Sequence, residues 1–421
     1  MSFPSYYGWR IVAISAVIFI LVFGSTIATF SLYVVPVSAE LGLTRAQMNT
    51  AFVLINVGSA AWAPFIGRAI DRVSLRLILG VSGLLLGVGF ATLALSHSLW
   101  LSILALSTAI AAGMDGSAML TLSILVARWF RANRARAMTL AVTGQALGKV
   151  LVPLPTVYLI ETFGWRTTLL VIGAVLAAFL VLVAILIRER PAPGELEDAA
   201  EDSTGETGSD ADARLAPVGE LLKLAHFWLV AVGIALTFTI SATFGISIVP
   251  VGLEFGLSMA EGAALASTYA GAAFAAKLIL AGFADKVSRL TLITAFLVLG
   301  LPLQVSFLVI SGPSQLFFLI ILYGLSVGGF AALLPILQVE MFGLASYGTV
   351  RGLMLPIQSA FIAAGALVAG RIYDVTGNYD MMFVTFAIVQ GAVIVLFQIA
   401  RWQQARFLSR RREPHDALAA G

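Results

Sequence analysis

The stretch Gly67-Arg68-Ala69-Ile70-Asp71-Arg72-Val73-Ser74-Leu75-Arg76 returns in degenerate form as Ala281-Gly282-Phe283-Ala284-Asp285-Lys286-Val287-Ser288-Arg289. Each copy is a short charged loop between two long apolar runs, so the chain reads as two like halves. Working outward from the loops, a helix needs about 20 mostly apolar residues to cross a bilayer, whereas barrel strands would alternate apolar and polar. The runs here are of the helical kind. They fall near 9–36, 47–69, 77–97, 99–127, 137–161 and 167–187, then near 226–252, 260–284, 290–311, 314–341, 348–370 and 380–401. Each repeated loop then sits between the second and third run of its half. Two parallel halves related by an axis along the membrane normal are an organisation of secondary carriers.

Composition agrees. Of 421 residues 60% are hydrophobic and 11% charged, and mean hydropathy is +0.99. A soluble domain carries about 25% charged residues, so soluble enzymes and nucleic-acid binders are excluded. The absence of cysteine excludes disulfides, thiolate metal sites and a Cys nucleophile, and three histidines argue against a His-rich metal centre. No cofactor is expected. The N-terminus lacks a basic segment followed by a small-residue cleavage site, so the first run reads as a retained span.

Lys and Arg set the orientation. With the N-terminus in the cytoplasm, the cytoplasmic side collects every basic residue except Arg45, Arg166 and Arg371 outside and Lys149 and Lys277 within spans. The positive-inside rule therefore expects both termini in the cytoplasm. Between the halves, Glu195, Glu197, Asp198, Glu201, Asp202, Glu206, Asp210 and Asp212 follow one another with no Lys or Arg among them. Such a segment cannot bury enough apolar surface to offset its ordering entropy and reads as a solvated linker. The expected organisation is an N-terminal six-helix bundle at 1–187, an acidic linker at 188–224, a C-terminal bundle at 225–402 and a cytoplasmic tail at 403–421.

The paired loops, with Gly67, Asp71, Arg72 and Arg76 in one and Asp285, Lys286 and Arg289 in the other, resemble the loop motif of the major facilitator superfamily. More narrowly, Gly8-Trp9, Leu32-Tyr33-Val34-Val35-Pro36-Val37, Ala127-Arg128-Trp129-Phe130, Arg134-Ala135-Arg136-Ala137, Phe163-Gly164-Trp165-Arg166 and His226-Phe227-Trp228 resemble the monocarboxylate transporter and oxalate:formate antiporter group. The resemblance implies the twelve-helix, all-α fold, residence in a bacterial inner membrane, action as a monomer, and movement of a small organic anion with a proton or in exchange. On physical grounds, an Asp beside Arg at a helix end can hold neighbouring helices in one state and release them in another. The other reading of these arginines is that they only fix topology. Glu340, at the end of the tenth run, is a candidate gating partner for the basic loop near it.

Ionisable residues at membrane depth are costly and mark functional sites. Asp115 lies thirteen residues before Arg128, and Lys149 thirteen after Arg136, so both sit about 20 Å from the same membrane face. They form either a pair that binds substrate and passes a proton, with Asp115 as the proton-coupling candidate, or a structural ion pair. Lys277 lies eight residues before Asp285, about 12 Å from the end of its span, with no acid within four residues. By alignment on the Asp-Lys motif it resembles the position where the family carries a carboxylate-binding arginine; a lysine offers a point charge in place of a fork. The alternative is a lysine snorkelling along the protein interior or pairing with Asp115. Animal members of the family carry an acid one turn earlier, where this chain has Ala273, and a lysine in span one, where it has Ile27 and Ala28, so their proton-coupling site is missing and Asp115 is the acid deep in the membrane that could replace it. Candidate polar lining comes from Thr29, Thr239, Tyr323 and Gln358, each of which also suits a helix-packing hydrogen bond.

The leading expectation is a proton-coupled symporter for a mono- or dicarboxylate. A second is a proton-driven exporter of neutral or cationic compounds. Against it, Gly144-Gln145-Ala146-Leu147-Gly148-Lys149 lacks the ordered Gly-Pro motif of such exporters, and its lysine would repel a cation. A membrane sensor is the third, and no folded signalling domain is visible in the composition. The expected partners are an organic anion, protons and the lipid bilayer, with no nucleic acid.

Overall fold

The computed structural model describes residues 7–130, 134–189, 218–283, 289–310, 312–342 and 347–419. Helices account for nearly all of it. In the N-terminal half, α1 (Tyr7–Phe23) passes through a π-helical turn, Gly24–Ala28, into α2 (Phe30–Leu41). There follow α3 (Arg45–Arg72), α4 (Leu75–Leu95) and α5 (Leu99–Leu104), then a second π-helical turn, Ala105–Ile110, and α6 (Ala111–Ser117), α7 (Met119–Trp129), α8 (Arg134–Leu151) and α9 (Pro153–Leu186). Beyond the linker come the short α10 (Val218–Lys223), α11 (Ala225–Glu254), α12 (Met259–Phe283), α13 (Arg289–Ser306), α14 (Pro313–Phe342), α15 (Tyr347–Thr376) and α16 (Asp380–Ala419).

Ten of the described helical segments are long and apolar enough to cross a bilayer. The expected fifth run is divided instead, because Pro153 and Pro155 end α8 at Leu151 and open α9. Gly164, at φ 79° and ψ 159°, then bends α9 into two helical pieces. Only a glycine adopts that backbone readily. The ninth run, within α13, has a shorter apolar core, Leu292–Ser306. Helix starts follow local chemistry: Thr44 and Gln47 form a reciprocal capping box on α3, and Ser74 accepts from the Leu77 amide of α4.

Glycine decides which helices touch. A Cβ on Gly144 would run into the Ala16 carbonyl oxygen, and one on Gly148 into that of Ile20. This Gly-x-x-x-Gly row therefore lets α8 lie directly on α1. Gly83, Gly87 and Gly173 do the same for α4 against α9. Farther on, Gly328 of α14 sits against the Ala273 carbonyl of α12, and Gly365 of α15 against Thr239 of α11.

The chain divides into two compact units that do not follow chain order. One comprises Met1–Thr207 with Gly245–Gly271, the other Gly208–Phe244 with Ala272–Gly421. The second has an aliphatic and aromatic core of Phe227, Ile234, Leu333, Leu337, Met354, Val393 and Phe397.

Candidate functional site

Three charges lie inside apolar helices. Asp115 is on α6, half-buried, with the Ser59 side chain of α3 beside its carboxylate, and its Oδ2 is enclosed. The approach of α3 to the second π-helical turn explains the tight setting: a Cβ on Gly58 would collide with the Ser107 carbonyl oxygen. Lys149 follows Gly148 on α8 and is exposed, turned away from the face that the glycine row presses onto α1. Lys277 is also exposed, on α12 one turn after Ala273. Among the described residues it has neither an ion pair nor a hydrogen bond.

The neutral polar candidates differ in how free their atoms are. Thr29 is fully buried and its hydroxyl donates to Ser25 O at 2.9 Å; that of Thr239 donates to Ala235 O at 2.8 Å. Tyr323 is buried in an aromatic cluster, its ring centroid 5.0 Å from that of Phe244 and 5.9 Å from that of Phe307. Gln358 is buried with Oε1 unpartnered. Asp115, Lys149 and Thr29 belong to the first unit, and Lys277, Thr239, Tyr323 and Gln358 to the second.

At the motif loop, Gly67 has open space around it, and Arg72 and Arg76 are exposed. The Asp71 side chain, Asp285, Lys286 and the Arg289 side chain lie outside the described residues. Glu340 is exposed near the end of α14. The residue that organises this end of the N-terminal half is one the sequence reading assigned to the linker. Glu189 accepts from the Arg76 backbone amide at 2.9 Å and meets Arg128 Nη1 at 3.4 Å. A carboxylate on the first turn of α4 also suits the helix dipole. Beside it, Trp129 Nε1 donates to Arg188 O at 3.2 Å, and the Arg188 amide donates to Tyr7 Oη at 3.2 Å. The Ala127-Arg128-Trp129-Phe130 stretch is thus where α7, α1 and the end of α9 are tied, with Trp129 and Phe130 fully enclosed.

The opposite end of the same half is closed by Phe163-Gly164-Trp165-Arg166. The Gly164 bend brings both following side chains onto Glu40 of α2: Trp165 Nε1 donates to Oε2 at 2.5 Å and Arg166 Nε to Oε1 at 2.9 Å. Arg166 Nη1 also donates to Ala94 O at 2.7 Å, capping α4, while its guanidinium stacks 4.3 Å from the Trp165 ring. Sequence reasoning singled out the four-residue stretch and missed Glu40, which carried no signal beyond being an acid at a helix end.

A bundle of long apolar helices with ionisable groups at mid-helix and clasps at both ends belongs to a multi-pass membrane protein. The chain belongs to the major facilitator superfamily, whose family model matches residues 14–355. It is therefore a transporter and not an enzyme. It is 26% identical over 327 residues to the uncharacterized MFS-type transporter YhjX of Escherichia coli (strain K12), covering 76% of this chain and 77% of that one. It is 27% identical over 372 residues to monocarboxylate transporter 11 of Homo sapiens, covering 83% and 74%. Among solved structures, a point mutant of the nucleoside transporter NupG superposes with a TM-score of 0.73 at 14% identity, covering 93% of this chain and 99% of that one. At that identity the likeness is one of fold alone.

Proposed function

We propose that the chain is a secondary carrier of a small organic anion, a mono- or dicarboxylate, moved with a proton by alternating access. The observation that carries the reading is Lys277: a cation in the apolar run Ala272–Leu280, without a partner among the described residues. Such a charge needs an anion, and a substrate carboxylate supplies one. The relationship to monocarboxylate transporter 11 supports the same class. Lys149, Thr29, Thr239, Tyr323 and Gln358 are the other substrate-binding candidates; the free Gln358 Oε1 suits a hydroxyl or protonated carboxyl donor. Asp115, a half-buried acid beside Ser59 in an apolar helix, is the acid proposed to take the coupled proton. Gly67, Asp71, Arg72, Arg76, Asp285, Lys286, Arg289 and Glu340 are assigned to gating.

The same proposal includes twelve spans, both termini in the cytoplasm, bundles at 1–187 and 225–402 joined by the 188–224 linker, a monomer, and the inner membrane of a bacterium. Purified protein in proteoliposomes, offered a panel of mono-, di- and tricarboxylates with and without an imposed pH gradient, tests it. Uptake of one carboxylate class that rises when the coupled proton runs inward is expected. Uptake of cations or nucleosides, with no carboxylate moved, overturns it.

A further inference from the structure

Asp115 shares its surroundings with a hydroxyl that is withheld from its own helix. A Ser or Thr inside an apolar helix ordinarily donates to the carbonyl one turn behind it, since lipid offers no other acceptor. In α3, the second π-helical turn and α6, every other Ser and Thr does this: Thr50, Ser107, Thr108 and Ser117 donate to the carbonyls of Ala46, Ile103, Leu104 and Gly113. Ser59 does not. Its Oγ, enclosed on α3, makes no bond to the Ile55 carbonyl and stands beside the Asp115 carboxylate. The preceding residue explains the reach, because Gly58, with no Cβ, lets the α3 backbone lie against Ser107 O and the Ala111 side chain. Ser59 is thereby carried to the place where Asp115 Oδ2 is enclosed.

Among the described residues no charge is placed to do the same work. α6 packs on α1, α3, α4, α7 and the second π-helical turn. The titratable side chains nearest along those elements are Arg10 on α1, Arg68 on α3, Arg76 on α4 and Arg128 on α7; the π-helical turn has none. Arg68 lies nine residues from Ser59, and Arg76 six from Ser82, which meets Gly113 and Gly116. Arg128 lies thirteen from Asp115, and Arg10 sixteen from Thr26, which meets Met114. At a helical rise of about 1.5 Å per residue, the shortest of these steps is about 9 Å. Lys149, on α8, is exposed and turned away from α1.

We propose that Ser59 is a positioning residue for proton coupling: its hydroxyl donates to the ionised Asp115 carboxylate, fixes its orientation and sets how readily it takes the proton. The proposal rests on the reading of Asp115 as the proton acceptor. A donor favours the carboxylate over the carboxylic acid, so without it the acid holds its proton to higher pH. The test follows the infrared carbonyl band of protonated carboxyls while the purified protein is titrated, the part of the band lost in Asp115→Asn belonging to Asp115. Ser59→Ala should move the midpoint of that part to higher pH by about one unit, the size expected for one hydrogen bond to a charged group. Ser59→Thr, which keeps the hydroxyl, should stay near the parent. Ser107→Ala, which removes a hydroxyl already bonded to Ile103, should leave the midpoint in place. A midpoint that Ser59→Ala leaves unchanged, or that Ser107→Ala moves as far, overturns the role of Ser59 and leaves Asp115 as the acceptor. A band that Asp115→Asn leaves untouched removes Asp115 as the acceptor, and the role of Ser59 with it. Carboxylate uptake is measured apart from this band, so the carrier proposal can fail while the Ser59 assignment holds, and the reverse.

Discussion

Lys277 and Arg166 show how the same charge type is used in opposite ways. Arg166 spends its guanidinium on Glu40 and the Ala94 carbonyl, so its charge is consumed by architecture. Lys277 has no such partner among the described residues, although a cation at that depth costs about 3 kcal/mol on the lenient insertion scale. Lys277→Ala is expected to abolish carboxylate uptake in proteoliposomes while leaving the apparent melting temperature unchanged or raised. Lys277→Arg should keep part of the activity, because the charge stays and only the donor geometry changes. A Lys277→Ala protein that transports as the parent does removes the anion site. Asp71 is argued on different grounds, since an acid adds nothing to positive-inside retention. Asp71→Asn should lower turnover more than protein level; equal losses would make it a structural residue.

At the scale of elements, two backbone positions are open to direct test. Gly164 holds a conformation that other residues reach only with strain, and the bend it makes presents Trp165 and Arg166 to Glu40. Gly164→Ala should therefore destabilise the N-terminal half by about 1–3 kcal/mol, seen as a lower melting temperature in detergent. Glu40→Gln, which weakens the same clasp without touching the backbone, should give a smaller shift in the same direction, since exposed ion pairs contribute little to stability. Gly144 has no room for even one methyl group, because the obstacle is the Ala16 backbone itself. Gly144→Ala should force α8 off α1 at a cost of about 1–3 kcal/mol, whereas Gly67→Ala, with open space around it, should leave the melting temperature unchanged.

The whole molecule carries the topology prediction. In the cysteine-free chain, Thr44→Cys and Ser203→Cys should react with an impermeant maleimide from opposite sides of the membrane, and reaction from one side would refute the proposed orientation. Much of this architecture was legible in the chain itself. Apolar runs made membrane-spanning helices legible, because lipid satisfies no backbone polar group and each span must be self-contained, whereas the two compact units, which do not follow chain order, were not. The motif stretches were legible as positions but not as contacts. Nothing local in Phe163-Gly164-Trp165-Arg166 says that it meets Glu40, more than 120 residues earlier. Nor does Glu189, between Arg188 and Arg190, announce that it caps α4 and meets Arg128. Tyr33 reads in sequence as one more aromatic at the end of a span, and only packing leaves its hydroxyl enclosed without a hydrogen-bond partner. Burial in lipid is decided residue by residue along a helix, which one sequence can express. Pairing, capping and cavity shape depend on which helix faces come together, and that is decided only when the chain folds.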